Sequence, residues 1–290
     1  MNLSDPNVIV EQEHQYLHDQ ENRWTAHANA EVARAKSIGQ DVHVTHVCWG
    51  DGGCLYYSLC DHIQRLEIVE QNRNRFQMLE GRAEEIYNKN NDARRKLHGQ
   101  VTYVSPIDQE MDKRQHSIYN PDFPHLTPWS LRQLVCDYVQ DVWNGPNIPD
   151  EMRARRENFV IIVNENRRSQ KTFDQIVNDQ REPCEWSWDF FIQAASEVLR
   201  TTIWLMTESA NMGTPYPMRK DNEMYGPTPM LIAFSNRHFQ SLRPGKNPSA
   251  RSLRTRQAPV SPQVGPQSSA MTTQPTSESK FWLFIFCCNF

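Results

Sequence analysis

The sequence has no surplus of positive charge. Its 31 Lys and Arg stand against 35 Asp and Glu, giving a formal net charge of -4 and a pI of about 6.2. Proteins that hold nucleic acid or an anionic membrane by charge carry a basic excess, so neither partner is expected. Long apolar runs are also missing. The densest, Phe281 to Phe286, is far short of the ~20 residues a membrane-crossing helix needs. The stretch Met1 to Gln20 is polar and acidic, without the apolar centre of a secretory signal. No two cysteines are spaced as Cys-x-x-Cys, and the seven present are odd in number. A disulfide scaffold is therefore not expected, and a reducing compartment fits better: the cytoplasm, with the nucleus as a second option. Internal repeats are absent.

What is present divides the chain in three. Residues 1–40 read as a polar helical lead-in. Residues 41–243 carry the core-forming patterns, interrupted over about 67–126 by a highly charged insertion. From 244 to 290 the composition turns to Pro, Ser, Thr and Gln, ending in the short apolar run. Such a segment buries too little apolar surface to offset its ordering entropy, and disorder is expected there.

Within the core region, Val42 to Val47 reads as a short strand, followed by a turn over Trp49-Gly50-Asp51-Gly52-Gly53. Leu55, Leu59, Ile63 and Leu66 then recur at helical spacing, which places Cys54 where a loop becomes a helix. Phe76, Leu79, Ala83 and Ile86 form a thin second stripe. Thr127 and Pro128 suit a helix start ahead of Leu131, Leu134, Val135, Tyr138, Val139 and Val142. The run Phe159 to Val163 is too short to assign. Trp188, Phe191, Ala195, Val198 and Leu199 mark another helical face. Strands are expected at Thr201 to Thr207 and at Leu231 to Phe234, the latter leading through a polar turn to His238.

Cys54 is the residue with chemistry in its surroundings. Thiol hydrolysis needs a thiolate, a base and donors for the oxyanion. Glycines at 52 and 53 allow a tight turn with uncovered N–H groups, and a helix N-terminus favours negative charge on the sulfur. The plain alternative is a small buried residue at the start of a core helix. His238, opening a strand after a tight turn, is placed to act as a rigid base. A metal reading stays open as well, because Cys48, Cys54 and Cys60 lie near His43, His46 and His62, although structural zinc sites pair ligands more closely. No cofactor or metal is otherwise called for.

Four blocks resemble the ovarian-tumour (OTU) family of cysteine proteases. Asp51-Gly52-Gly53-Cys54-Leu55-Tyr56 resembles that family's Asp-Gly-Asn-Cys-Leu-Phe signature, and Leu131-Arg132 to Val139 its second helix. Trp188 to Glu197 is similar to its Trp-Gly-Gly helix, and Ile232 to Leu242 to its strand, turn and His-Tyr box. The resemblance implies an α+β, papain-like fold with a small central mixed sheet flanked by helices. It implies a thiol isopeptidase cleaving at the C-terminus of ubiquitin or a ubiquitin-like protein. Cys54 would be nucleophile, His238 base and Asp51 the neighbouring acid. Backbone N–H groups of Gly52 and Gly53 would supply the oxyanion hole, and Trp188 and Phe239 would line the substrate channel. Three departures stand out: Gly53 replaces Asn, Trp186-Ser187-Trp188-Asp189 lacks the Gly-Gly, and Gln240 occupies the position whose Asp or Asn orients the histidine in many members. Gln240 and Asn236 are both candidates for that task. A catalytically weak OTU-like module that binds ubiquitin or another partner is the alternative. At the C-terminus, Cys287 stands four residues from the end, where a prenyl anchor would attach, although Asn289 departs from that box.

Overall fold

The computed structural model describes residues 6–98, 104–145, 148–183, 185–207, 214–216 and 225–245. The expected tail and the Cys287 anchor position lie outside these residues, apart from the tail's first two. The fold is α+β, with eight helices and five strands among the described residues. The strand order is β1-β5-β4-β2-β3, where β1 is Val42–His43, β2 Ile203–Thr207, β3 Thr214–Tyr216, β4 Met230–Ser235 and β5 His238–Pro244. β2 and β4 run parallel and every other pairing is antiparallel.

Strand alternation explains why the sheet is buried on both faces. Ile203, Leu205, Met230, Ile232 and Phe239 face the main core, while Met206, Leu231, Ala233 and Leu242 join Val42 and Ala35 in a second, smaller cluster. Ala35 belongs to α1 (Pro6–Ser37), so this polar lead-in helix lies on the sheet's second face.

The main core is built by α2 (Cys54–Ile63), α3 (Leu66–His98), α5 (Pro128–Trp143), α6 (Asp150–Arg167), α7 (Phe173–Gln180) and α8 (Asp189–Leu199). α2 is buried on all sides, as an apolar helix with its polar side chains bonded internally must be. α5 starts as the sequence suggests: the Thr127 side chain accepts from the Ser130 N–H, Ser130 returns the bond to the Thr127 N–H, and Pro128 sits in the first turn. The ambiguous run from Phe159 lies in α6, where Phe159 and Val163 are buried one turn apart. The charged insertion holds most of α3 and all of α4 (Pro106–Gln115), and contributes Phe76, Leu79, Ala83, Phe123 and Leu126 to the core.

One strand is shorter than expected. Val42 to Val47 pairs only at Val42 and His43, against Pro244 and Arg243. Beyond that point the backbone is claimed by side chains. Gln240 Nε2 donates to the His46 carbonyl at 2.7 Å, Gln240 Oε1 accepts from the Cys48 N–H at 3.1 Å, and Thr45 donates to Asp61. α7 and β3 have no clear pattern in the sequence.

Candidate active site

The turn that presents Cys54 is held from three sides. Gly52 has φ +89°, a region that L side chains rarely adopt, so glycine is required there. Its carbonyl accepts from the Arg132 guanidinium at 2.7 Å. Asp51 folds back on the turn: one carboxylate oxygen accepts from the Gly53 N–H at 2.8 Å and the other from the Tyr57 hydroxyl at 2.6 Å. Tyr57 in turn accepts from Gln115 Nε2 of α4 at 2.9 Å. Burial raises the Asp51 carboxyl above its usual range, against the pull of these two donors and of Arg132.

Cys54 is therefore the first residue of α2, as expected, but the residue is 1 % exposed. Burial pushes the thiol up to about 12. The Phe239 backbone N–H opposes this most, because it favours the thiolate. β1 pairs with β5 only at Arg243 and Pro244, so farther along, β5 meets the nucleophile loop directly, and Cys54 lies against the residue that follows His238.

His238 is fully buried, neither ring nitrogen makes a well-formed hydrogen bond, and the Cys48 backbone is the polar group that favours its protonated form. Its ring stacks on Trp24 of α1, with centroids 4.3 Å apart and planes at 27°, and meets the edge of His27 at 4.7 Å. Burial, then the neighbouring His27, holds its pKa well below the usual histidine value. The thiol and the imidazole are thus both neutral in this arrangement, and no hydrogen bond joins them.

Several expected roles change. Gly53 does not offer its N–H to an oxyanion, because Asp51 occupies it. Asp51 braces the turn and does not hydrogen-bond to His238. Gln240, expected to orient the histidine, spends its amide on His46, Cys48 and Ser241. Asn236 is exposed at the tip of the β4–β5 hairpin and makes no bond to His238 either. Trp188 and Phe239 do not line an open channel. They are 3 % and 1 % exposed, Trp188 packing edge-on against Phe159 at 6.0 Å and Phe239 against Phe234 at 4.7 Å.

The metal reading finds no convergent ligand set among the described residues. Its candidates have other partners: His62 Nε2 meets the Leu231 carbonyl at 2.7 Å, His46 meets the Tyr119 hydroxyl at 2.8 Å, and Cys48 meets Ser58 at 3.3 Å. No described helix is long and apolar enough to cross a membrane.

Sequence reasoning missed Trp24, His27 and Gln115. Nothing in a local pattern ties α1 or α4 to a turn far along the chain. Arg132 was visible as half of a Leu-Arg pair, without its task.

No protein-family model matches the chain, and no curated protein matches it. Among solved structures, similar chains occur in complexes described as h/ceOTUB1 with ubiquitin aldehyde and UBC13~Ub, and as ceOTUB1 with ubiquitin aldehyde and UBC13~Ub. The first is 11 % identical, covering 68 % of this chain and 75 % of that one at a TM-score of 0.39. The second is 13 % identical, covering 68 % and 77 % at a TM-score of 0.38. A third, h/ceOTUB1 with ubiquitin aldehyde and UBCH5B~Ub, is 12 % identical, covering 68 % and 74 % at 0.37.

Proposed function

We propose that the chain is an OTU-like thiol hydrolase directed at the C-terminus of ubiquitin or a ubiquitin-like protein. The observation that carries this reading is the placement of Cys54, which opens a buried helix with its sulfur against the Phe239 N–H, next in sequence to His238. A thiol at a helix N-terminus, packed against the strand that carries an imidazole at the next position, has the parts that nucleophilic attack on a carbonyl needs. In the reaction, His238 takes the thiol proton, the sulfur adds to the carbonyl carbon, and the proton passes to the departing amine. Water then releases the acyl group and restores the thiol. Oxyanion donors would come from backbone N–H groups other than that of Gly53.

A second reading has its own support. Gln240 is committed to the nucleophile loop, which leaves His238 without an orienting partner and favours a ubiquitin-binding module of weak turnover.

The deciding experiment is reaction of the purified protein with ubiquitin carrying a thiol-reactive C-terminal group, beside Cys54→Ala and His238→Ala. An adduct lost in Cys54→Ala and slowed at least tenfold in His238→Ala supports the hydrolase. Binding of ubiquitin without an adduct supports the module. Neither binding nor adduct from folded protein would sink both readings.

A further inference from the structure

α1 does more than extend the domain. Both candidate groups are closed off from solvent, and α1 lies over His238 and the turn that leads to Cys54. The Trp24 indole lies flat on the His238 ring. The same indole reaches the nucleophile turn: a Cβ at position 50 would sit 2.1 Å from its Cζ2, so only glycine there admits it. One turn earlier, Glu21 accepts from Trp49 Nε1 at 2.8 Å and from Arg114 of α4 at 3.2 Å, while the Arg114 guanidinium stacks on Trp49 at 3.8 Å. α1 and α4 therefore meet across the turn that presents Cys54.

We propose that α1 is a cis-acting cover that holds the Cys54–His238 site closed in the resting protein. Trp24 seats it on the base, and Glu21 latches it to Trp49 and Arg114. The inference rests on the thiol-hydrolase reading of that site and adds its regulation.

Two features separate a cover from an ordinary structural helix. The seat is thin: the later part of α1 is tied to the sheet, with Glu31 accepting from Ser235 and Arg34 donating to the Thr207 carbonyl, but in the segment before it, residues 9–27, Trp24 is the one fully buried side chain. The latch is at the surface, with the Glu21 side chain half exposed. Lifting α1 would also release the ring. While stacked, the imidazole is pinned between Trp24 and His27, with the Cys48 backbone as its polar neighbour, and without Trp24 it is free to turn toward the sulfur. The neutral state of both groups agrees with a site that is assembled but not armed. A substrate or partner that takes α1 away exposes the thiol and frees its base in one motion.

The test measures alkylation of Cys54 by iodoacetamide in the full chain, by peptide mass, in wild type, Trp24→Ala, Trp24→Phe and Glu21→Ala. Cys60 and Cys136, buried elsewhere, are internal controls. Expected are an at least tenfold faster reaction at Cys54 in Trp24→Ala, a several-fold increase in Glu21→Ala, and a near wild-type rate in Trp24→Phe. The controls should remain slow throughout. If Trp24→Ala does not fold, Glu21→Ala decides. Unchanged Cys54 labelling in folded Glu21→Ala, or parallel acceleration of Cys60 and Cys136, would overturn the cover. Iodoacetamide reads exposure without ubiquitin. Selective labelling of Cys54 with no ubiquitin adduct therefore keeps the cover and removes the hydrolase.

Discussion

A buried guanidinium is costly unless its donors find acceptors, and Arg132 finds backbone carbonyls where a carboxylate would be usual. Fully buried, it donates to Gln180, Glu182, Glu185 and Gly52, and lies 4.8 Å over the Tyr56 ring. One side chain thus joins the turn before Cys54 to the loop between α7 and α8. Arg132→Met should cost on the order of 3–5 kcal/mol by urea unfolding, because several carbonyls lose their donor together. Arg132→Lys should not rescue it, since an ammonium cannot span the fork. A loss below about 1 kcal/mol would show that water replaces the missing donors. Gly52 presents a narrower case. At φ +89° it is confined by backbone geometry, and Gly52→Ala should destabilise by about 1–2 kcal/mol even where space allows the methyl group.

At the scale of elements, the β4–β5 hairpin turns through Asn236 and Arg237, both at positive φ (47° and 63°), with Ser235 paired to His238. That is the two-residue loop in which Asn-Gly is favoured, so arginine at the second position is strained. Arg237→Gly should raise stability by about 1 kcal/mol, read as a higher melting temperature. Removing the α5 cap with Thr127→Ala should lower it by about 1 kcal/mol. These elements show how legible the fold was. α5 and α8 announced themselves through apolar stripes and a capping residue, and β2 and β4 through short apolar runs. β1 showed its start at Val42 but not its end, because that end is fixed by the Gln240 amide, which reaches the Cys48 N–H across 192 residues of sequence. Such a bond has no period to detect. The same holds for the site. Cys54 and His238 were marked by the turns that carry them, whereas the hydrogen bonds that occupy Gly53 and Gln240 exist only once the chain has folded.

For the whole molecule, acid should be destabilising, and buried histidines should lead. Burial, then the charge of Arg65, holds His62 down to about 3, and burial holds His238 well below the usual value. Below about pH 6.5 the unfolded chain binds protons there that the folded chain refuses, so stability falls as pH drops. His62 withdraws about 2 kcal/mol between pH 6.5 and 5, and His238 acts in the same direction. Asp61 adds to this at lower pH. Burial alone would raise its carboxyl, but the hydrogen bonds and charge of Arg243 override it and hold the carboxyl below its usual value. That stability is present above the ordinary carboxylate range and disappears as pH falls through the depressed value. Asp51 and Asp189, raised by burial, act with the opposite sign. The urea midpoint should decline from pH 7 to pH 5, with a shallower decline in His62→Gln. A midpoint unchanged across that window would show that the rings are hydrated when folded.

The strand order also carries information about time. β5, the last described strand, is not at an edge: it lies between β4 and β1, which is the first described strand. As the chain leaves the ribosome, Val42 has no partner until Pro244 emerges about two hundred residues later, and Cys54 has no imidazole beside it. A product interrupted before β5 would hold a sheet open down the middle, with β1 unpaired and one edge of β4 uncovered. The strand that ties β1 into the sheet is therefore made after every other described strand, and the packing around Cys54 waits for it.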